Sequence, residues 1–68
     1  MNEDTFNTAV RKYLKQVGIT SQREIEQAVQ TAIQEGTLSG SEQLVATVTL
    51  EIPSLSLTHK IDGEIALE

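Results

Sequence analysis

Sixty-eight residues, 38% hydrophobic and 3% aromatic, carry ten acidic groups against five basic ones, with one histidine and no cysteine. A chain this short buries only about 60% of the surface its unfolded form exposes, and with disulfides excluded and a metal-ligand set out of reach, self-association is the remaining way to support it. A net charge of −5 opposes binding to nucleic acid, no apolar run approaches the roughly 18 residues of a membrane span, and the acidic start Met1-Asn2-Glu3-Asp4 lacks a secretory n-region, so a soluble cytoplasmic protein is expected.

The first helix is expected over residues 3–17. Asn2 or Asp4 caps it, Glu3 and Asp4 suit its positive end, and Phe6, Val10, Leu14 and Val17 form an apolar stripe widened by Ala9 and Tyr13. Gly18 reads as the stop, in the left-handed C′ position, with Ile19 folding back on the preceding turn. Ser21-Gln22-Arg23-Glu24 then matches a capping box. A second helix follows over 21–35 with Ile25, Ala28, Val29, Ala32 and Ile33 at helical spacing, closed by Glu35-Gly36 and with Leu38 folding back in the C″ position. Two helices joined by about three residues are expected to form an antiparallel α-hairpin.

After the loop Leu38-Ser39-Gly40-Ser41, alternation takes over. Leu44, Ala46, Val48, Leu50 and Ile52 mark one face of a strand over 43–52, and Val45, Thr47, Thr49 and Glu51 mark the other. Pro53-Ser54 reads as the turn, with residue 52 paired to 55, 50 to 57, 48 to 59 and 46 to 61, so that the second strand, 55–61, directs Leu55, Leu57, His59 and Ile61 to the same side. Asp62-Gly63 is a two-residue hairpin signal, yet such a turn would send Ile65 and Leu67 to the wrong face. A strand unbroken from 55 to 67 would span roughly 43 Å, twice the roughly 21 Å of a fourteen-residue helix. Either a bulge at Gly63 bends the strand or restores the parity of a third strand over 64–67, or a second subunit covers the overhang.

Charge is divided unevenly: residues 1–23 sum to +2 and residues 24–68 to −7. Arg11, Lys12 and Lys15 cluster in the last turns of the first expected helix, where cations complement its dipole. Together with Arg23, near the start of the second, they are also the candidate patch for a partner or an anion, because free N–H groups gather at a helix N-terminus. His59 is the one side chain with an ordinary pKa near neutrality. On the inward face of a strand it reads as a partly buried structural histidine, with a general base as the sharper alternative.

No catalytic residue, metal ligand set or cofactor site is expected. One histidine, no cysteine and scattered carboxylates cannot assemble a zinc site. The hydroxyls are accounted for by caps, loops and a β surface, and the glycines punctuate elements without forming a phosphate-cradling loop. Two helices and a ribbon suggest a winged helix-turn-helix, but the would-be reading helix carries Glu24, Glu26 and Glu35 against Arg23 alone, and Phe6 and Tyr13 cannot make a stacking platform.

The run Met1-Asn2-Glu3-Asp4, Phe6-Asn7, Arg11-Lys12, Leu14-Lys15, Val17-Gly18 and Thr20-Ser21-Gln22-Arg23-Glu24-Ile25-Glu26, with the late Asp62-Gly63-Glu64-Ile65, resembles a family of short uncharacterised bacterial proteins, a domain of unknown function. The resemblance spans the chain and is most specific from Gly18 to Glu26. It implies a small free-standing protein of bacterial cytoplasm and transfers no active site.

The expected architecture is one α+β domain of two layers over residues 1–68: an antiparallel α-hairpin packed on one face of a two- or three-stranded antiparallel sheet, in the order ααββ or ααβββ. The sheet leaves unpaired edges. A small non-enzymatic protein-interaction module is therefore expected, homodimeric through its β-edges and binding another, unidentified protein, with no nucleic acid and no membrane. The alternative is a small-ligand or anion-binding module built on Arg11, Lys12, Lys15 and Arg23; an enzyme using His59 and a nucleic-acid binder are the remaining readings.

Overall fold

The computed structural model describes residues 1–68 as two compact units, Met1–Thr37 and Leu38–Glu68. The first is one helix, α1, Glu3–Glu35. Asn2 caps it from extended backbone: its side-chain oxygen accepts from the Thr5 N–H at 3.1 Å, and its carbonyl accepts the Phe6 N–H at 3.0 Å. Glu3 and Asp4 occupy the first turn, where their charge meets the positive end of the dipole.

The expected α-hairpin is overturned. Helix runs unbroken through Gly18, Ile19, Thr20 and Ser21, so Gly18 is an interior residue and the Ser21–Glu24 capping box caps nothing. The physical reason lies in the phase of the apolar stripe. Phe6, Val10, Leu14, Val17, Ser21, Ile25, Ala28 and Ala32 follow one another at spacings of 4, 4, 3, 4, 4, 3 and 4. That is an eleven-residue pattern, which drifts around a straight helix by only about 20° per repeat. One face is therefore apolar from end to end, with Ser21 its single polar member, and a reversal at Gly18 would break it. A glycine permits the left-handed conformation without requiring it, and costs about 1 kcal/mol relative to alanine inside a helix.

At Gly36 the same residue type does end the helix. Its φ is 82°, its N–H donates to the Ile33 carbonyl at 3.2 Å, and the Thr37 N–H donates to the Ala32 carbonyl at 2.9 Å, the paired bonds of a Schellman motif. Thr37, not Leu38, is the C″ residue, and its hydroxyl also donates to the Ala32 carbonyl, at 3.1 Å. The two glycines thus predict opposite results from one substitution. Gly18→Ala should stabilise α1 by about 0.5–1 kcal/mol, since an added Cβ meets nothing within 4 Å, whereas Gly36→Ala should cost about 1–2 kcal/mol through its positive φ. Helical melting curves of the two variants, followed by circular dichroism, give both signs.

The second unit is a β-hairpin: β1, Gln43–Ile52, and β2, Leu57–Ala66, antiparallel and paired over their full lengths from Gln43↔Ala66 to Ile52↔Leu57. The span of β1 agrees with the sequence reading, and the register differs from it. Residue 52 pairs with 57 instead of 55, because Pro53 starts a 3₁₀ turn over Pro53–Leu55 that ends on Ser56 at φ 50°. Two-residue hairpin turns need positive φ at their first central position, and the proline ring fixes φ near −65°. The loop must therefore be longer. A shift of two residues preserves parity, so Leu44, Ala46, Val48, Leu50 and Ile52 still share a face with Leu57, His59, Ile61 and Ile65.

Of the two alternatives for residues 64–67, a third strand or a continuation of the second, the continuation is found, and Asp62-Gly63 makes neither a turn nor a bulge. β2 passes through Gly63, which pairs directly with Ala46. The sheet has two strands, and each leaves its other edge unpaired. β1, also ten residues long, pairs with β2 throughout, so no part of β2 overhangs it. On the polar face Val45, Thr47, Thr49 and Glu51 oppose Glu64, Asp62, Lys60 and Thr58, and the Thr47 hydroxyl donates to Asp62 Oδ1 at 2.8 Å. No residue of the chain is buried.

Candidate functional site

Arg11, Lys12 and Lys15 all lie on α1, several turns from either end. Lys12 and Lys15, three residues apart, line a shallow surface hollow with Gln16, Ile19 and Thr20. Arg23 stands eleven residues beyond Lys12, on the same side of the helix but about 16 Å along its axis, so the four cations are spread along the helix and do not form a pocket for one small anion. The anion reading also needed a helix N-terminus at Ser21. There is none, because residues 20–24 are helix interior and their N–H groups are committed to the helix ladder. The true N-terminus, at Asn2, is flanked by Glu3 and Asp4, whose charge repels an anion.

His59 sits in β2 opposite Leu50, on the apolar face between Leu57 and Ile61, and it is exposed where a partly buried position was expected. No carboxylate shares that face of the two strands. No group of three or more histidine, aspartate and glutamate side chains comes together anywhere in the chain.

One polar device escaped the sequence reading. In the loop before β1, the Glu42 carboxylate accepts the Ser39 N–H and the Gly40 N–H, both at 2.9 Å, while the hydroxyls of Ser39 and Ser41 lie 3.0 Å apart. The bonds from Ser39 and then Gly40 hold the Glu42 carboxyl down to about 2 from an ordinary 4.5. Its signal was present as Ser39-x-x-Glu42, the spacing of a capping box, here closing a loop. Because the folded value is depressed, this contribution is complete above pH 4.5 and disappears as pH falls through about 2. The Ser39 and Gly40 amide protons should accordingly titrate with a midpoint near 2, and Glu42→Gln should abolish that titration in a proton–nitrogen correlation series.

What the chain presents in place of a pocket is apolar surface. On α1, Phe6, Tyr13 and Leu14 are 52%, 54% and 54% exposed, with Val10 and Ile25 also open along the same side. On the hairpin, Val48 and the facing Ile61 are exposed, flanked by Ile52 and Leu57, while Leu44, Ala46, Leu50 and Ile65 are half-buried. Scattered exposed apolar residues are ordinary, but contiguous runs of them mark surfaces that meet a partner. No helix is long and apolar enough to cross a membrane.

The sequence profile of DUF6494, a family of unknown function, matches residues 1–68. The chain belongs to that family. The match agrees with the resemblance to a domain of unknown function, and it brings no assigned activity to any residue of DUF6494. No curated protein and no solved structure matches the chain.

Proposed function

We propose that this chain is a non-enzymatic, cytoplasmic protein-interaction module that works as a homodimer and engages a further protein through apolar surface left open by that pairing. One observation carries the reading: a 68-residue chain with 38% hydrophobic content buries not a single residue. Burial of apolar side chains is the main favourable term in folding, about 1.5–3 kcal/mol for each large one. A two-stranded hairpin is marginal alone in water, and a helix draws most of its stability from packing its apolar face. Both elements here have the pattern of packed elements, and a second copy supplies what they lack.

The reading is tested by light scattering on a sizing column across a hundredfold dilution, with helical circular dichroism taken on the same samples. The expected result is a mass of about twice the 7.4 kDa chain, falling on dilution together with helical signal and thermal stability. A constant mass of 7.4 kDa with a cooperative, concentration-independent melt would contradict it.

A further inference from the structure

We infer that the homodimer is joined at the free edge of β1, where Gln43–Glu51 of one copy runs antiparallel to the same segment of the other, with Thr47 facing Thr47 on the two-fold axis. This deepens the proposed homodimeric reading and rests on it.

The ladder fixes which backbone groups are free. The Leu67 N–H donates to the Glu42 carbonyl at 3.0 Å, and the same register continues without a break from Gln43↔Ala66 to Ile52↔Leu57. Hydrogen-bonded and non-hydrogen-bonded pairs alternate along an antiparallel ladder, so Leu44, Ala46, Val48, Leu50 and Ile52 commit their N–H and C=O groups to β2. Those of Gln43, Val45, Thr47, Thr49 and Glu51 point out from the free edge of β1, and those of Thr58, Lys60, Asp62, Glu64 and Ala66 from the free edge of β2.

The two edges differ in charge. Edges that native proteins leave open to water are blunted with charged side chains, lysine above all, and the edge of β2 carries Lys60, Asp62 and Glu64. β1 has no charge from Gln43 to Leu50, and Val45 on its edge is 78% exposed. β2 thus has the composition of an outer strand and β1 that of a strand paired on both sides.

A second copy of β1 fits this edge. Outward groups meet outward groups only when odd residues face odd residues. With Thr47 on the axis, Val45 faces Thr49 and Gln43 faces Glu51, each twice, so every outward N–H and C=O from 43 to 51 finds a partner. The Gln43 carboxamide meets the one charge of the strand, the Glu51 carboxylate, as a donor, and β-branched residues meet across the centre. On the other face Leu44 meets Leu50 and Ala46 meets Val48. Sliding two residues one way sets Glu51 against Val45 and Gln43 against Pro53, which has no N–H to give; sliding the other way leaves Glu51 opposite Ser41, outside the strand. Parallel pairing about a two-fold axis would turn the two apolar faces to opposite sides of the sheet. The antiparallel product is a four-stranded sheet in the order β2-β1-β1-β2, apolar along one face, and it passes the three strands that a sheet needs to be stable by itself.

Amide hydrogen exchange on the unsubstituted chain, at concentrations where light scattering gives a dimer, reads the edge directly. The Val48 and Leu50 amides, bonded within the hairpin, are the internal standard. The expected result is that Val45, Thr47 and Thr49 exchange at least about a hundredfold more slowly than Lys60, Asp62 and Glu64, and lose that protection on dilution. Register is read by mixing full-length Val45→Cys and Thr49→Cys, one of them labelled with nitrogen-15, under oxidised glutathione and counting the disulfide-linked species by mass; facing residues of a hydrogen-bonded pair lie about 5.5 Å apart at Cα, within disulfide reach. The expected 45-to-49 product exceeds its statistical share several-fold. Unprotected amides at Val45, Thr47 and Thr49 in a dimer, or protection at Lys60, Asp62 and Glu64 in their place, would overturn the inference and leave the homodimeric reading standing. Dominant 45-to-45 and 49-to-49 products would overturn the antiparallel register. A monomeric mass at every concentration would remove both the inference and the reading beneath it.

Discussion

Thr20→Pro should destabilise the helix by about 3 kcal/mol or more. Residue 20 lies in the middle of α1, with helix on both sides. Proline there deletes the hydrogen bond to the Gln16 carbonyl, drives its ring against that same carbonyl, and disfavours helical backbone at Ile19. Had the chain reversed direction at Gly18, residue 20 would stand just ahead of a second helix, where proline is harmless or even preferred. The two arrangements therefore differ by the whole effect. Loss of a large share of the 222 nm signal and of helical melting cooperativity is the expected outcome, and a variant that melts like the parent would mean that a turn occupies residues 18–20.

Leu14→Asp tests the exposed stripe in the same spirit. In a single chain Leu14 is 54% exposed, and a surface substitution of this kind changes stability by only about 0.5 kcal/mol. If the homodimer proposed above uses this stripe as its seam, the carboxylate would be pressed into apolar surface, which costs about 3–5 kcal/mol. Dissociation should therefore strengthen at least about a hundredfold, read as the shift of the midpoint of the mass-against-dilution curve. Lys12→Asp would not serve as well, since Lys12 lies outside the stripe and its replacement changes only charge. A Leu14→Asp protein that assembles like the parent would show that α1 contributes no seam.

Much of this fold is legible in the sequence, and the illegible part has one physical source. The apolar period identifies helix over 3–17 and 21–35, though not its continuity between them, and strand over 43–52, and the parity of the strands survives even an incorrect register. What misleads is punctuation. Gly18, Ser21 with Glu24, and Asp62-Gly63 each permit a stop or a turn, and each lies inside a continuous element. At Gly36 and Pro53 the punctuation is obeyed. The difference is the phase of the neighbouring apolar residues: it carries across Gly18 from Leu14 and Val17 to Ile25 and Ala28, and across Gly63 from Ile61 to Ile65, whereas the helical stripe ends at Ala32. Periodicity records which face must be covered, and local turn chemistry lists only what the backbone tolerates.

The candidate site followed the same pattern. Arg23 was tied to Arg11, Lys12 and Lys15 through a helix start that does not exist, and the unbroken helix sets it about 16 Å along the axis from Lys12. His59 had the expected face and not the expected burial, because burial depends on what covers that face. The Glu42 loop clasp had a readable spacing but no apolar run behind it to announce an element. The open stripe of α1, legible residue by residue, became a candidate surface only once its two halves were seen to be one.

That unity is the central claim, and backbone chemical shifts test it most directly. Helical Cα shifts running without interruption from Glu3 to Glu35, Gly18 through Ser21 included, are what a single α1 predicts. Two helical runs separated by extended or left-handed shifts at Gly18, Ile19 and Thr20 would contradict it, and with it the continuous apolar face of α1.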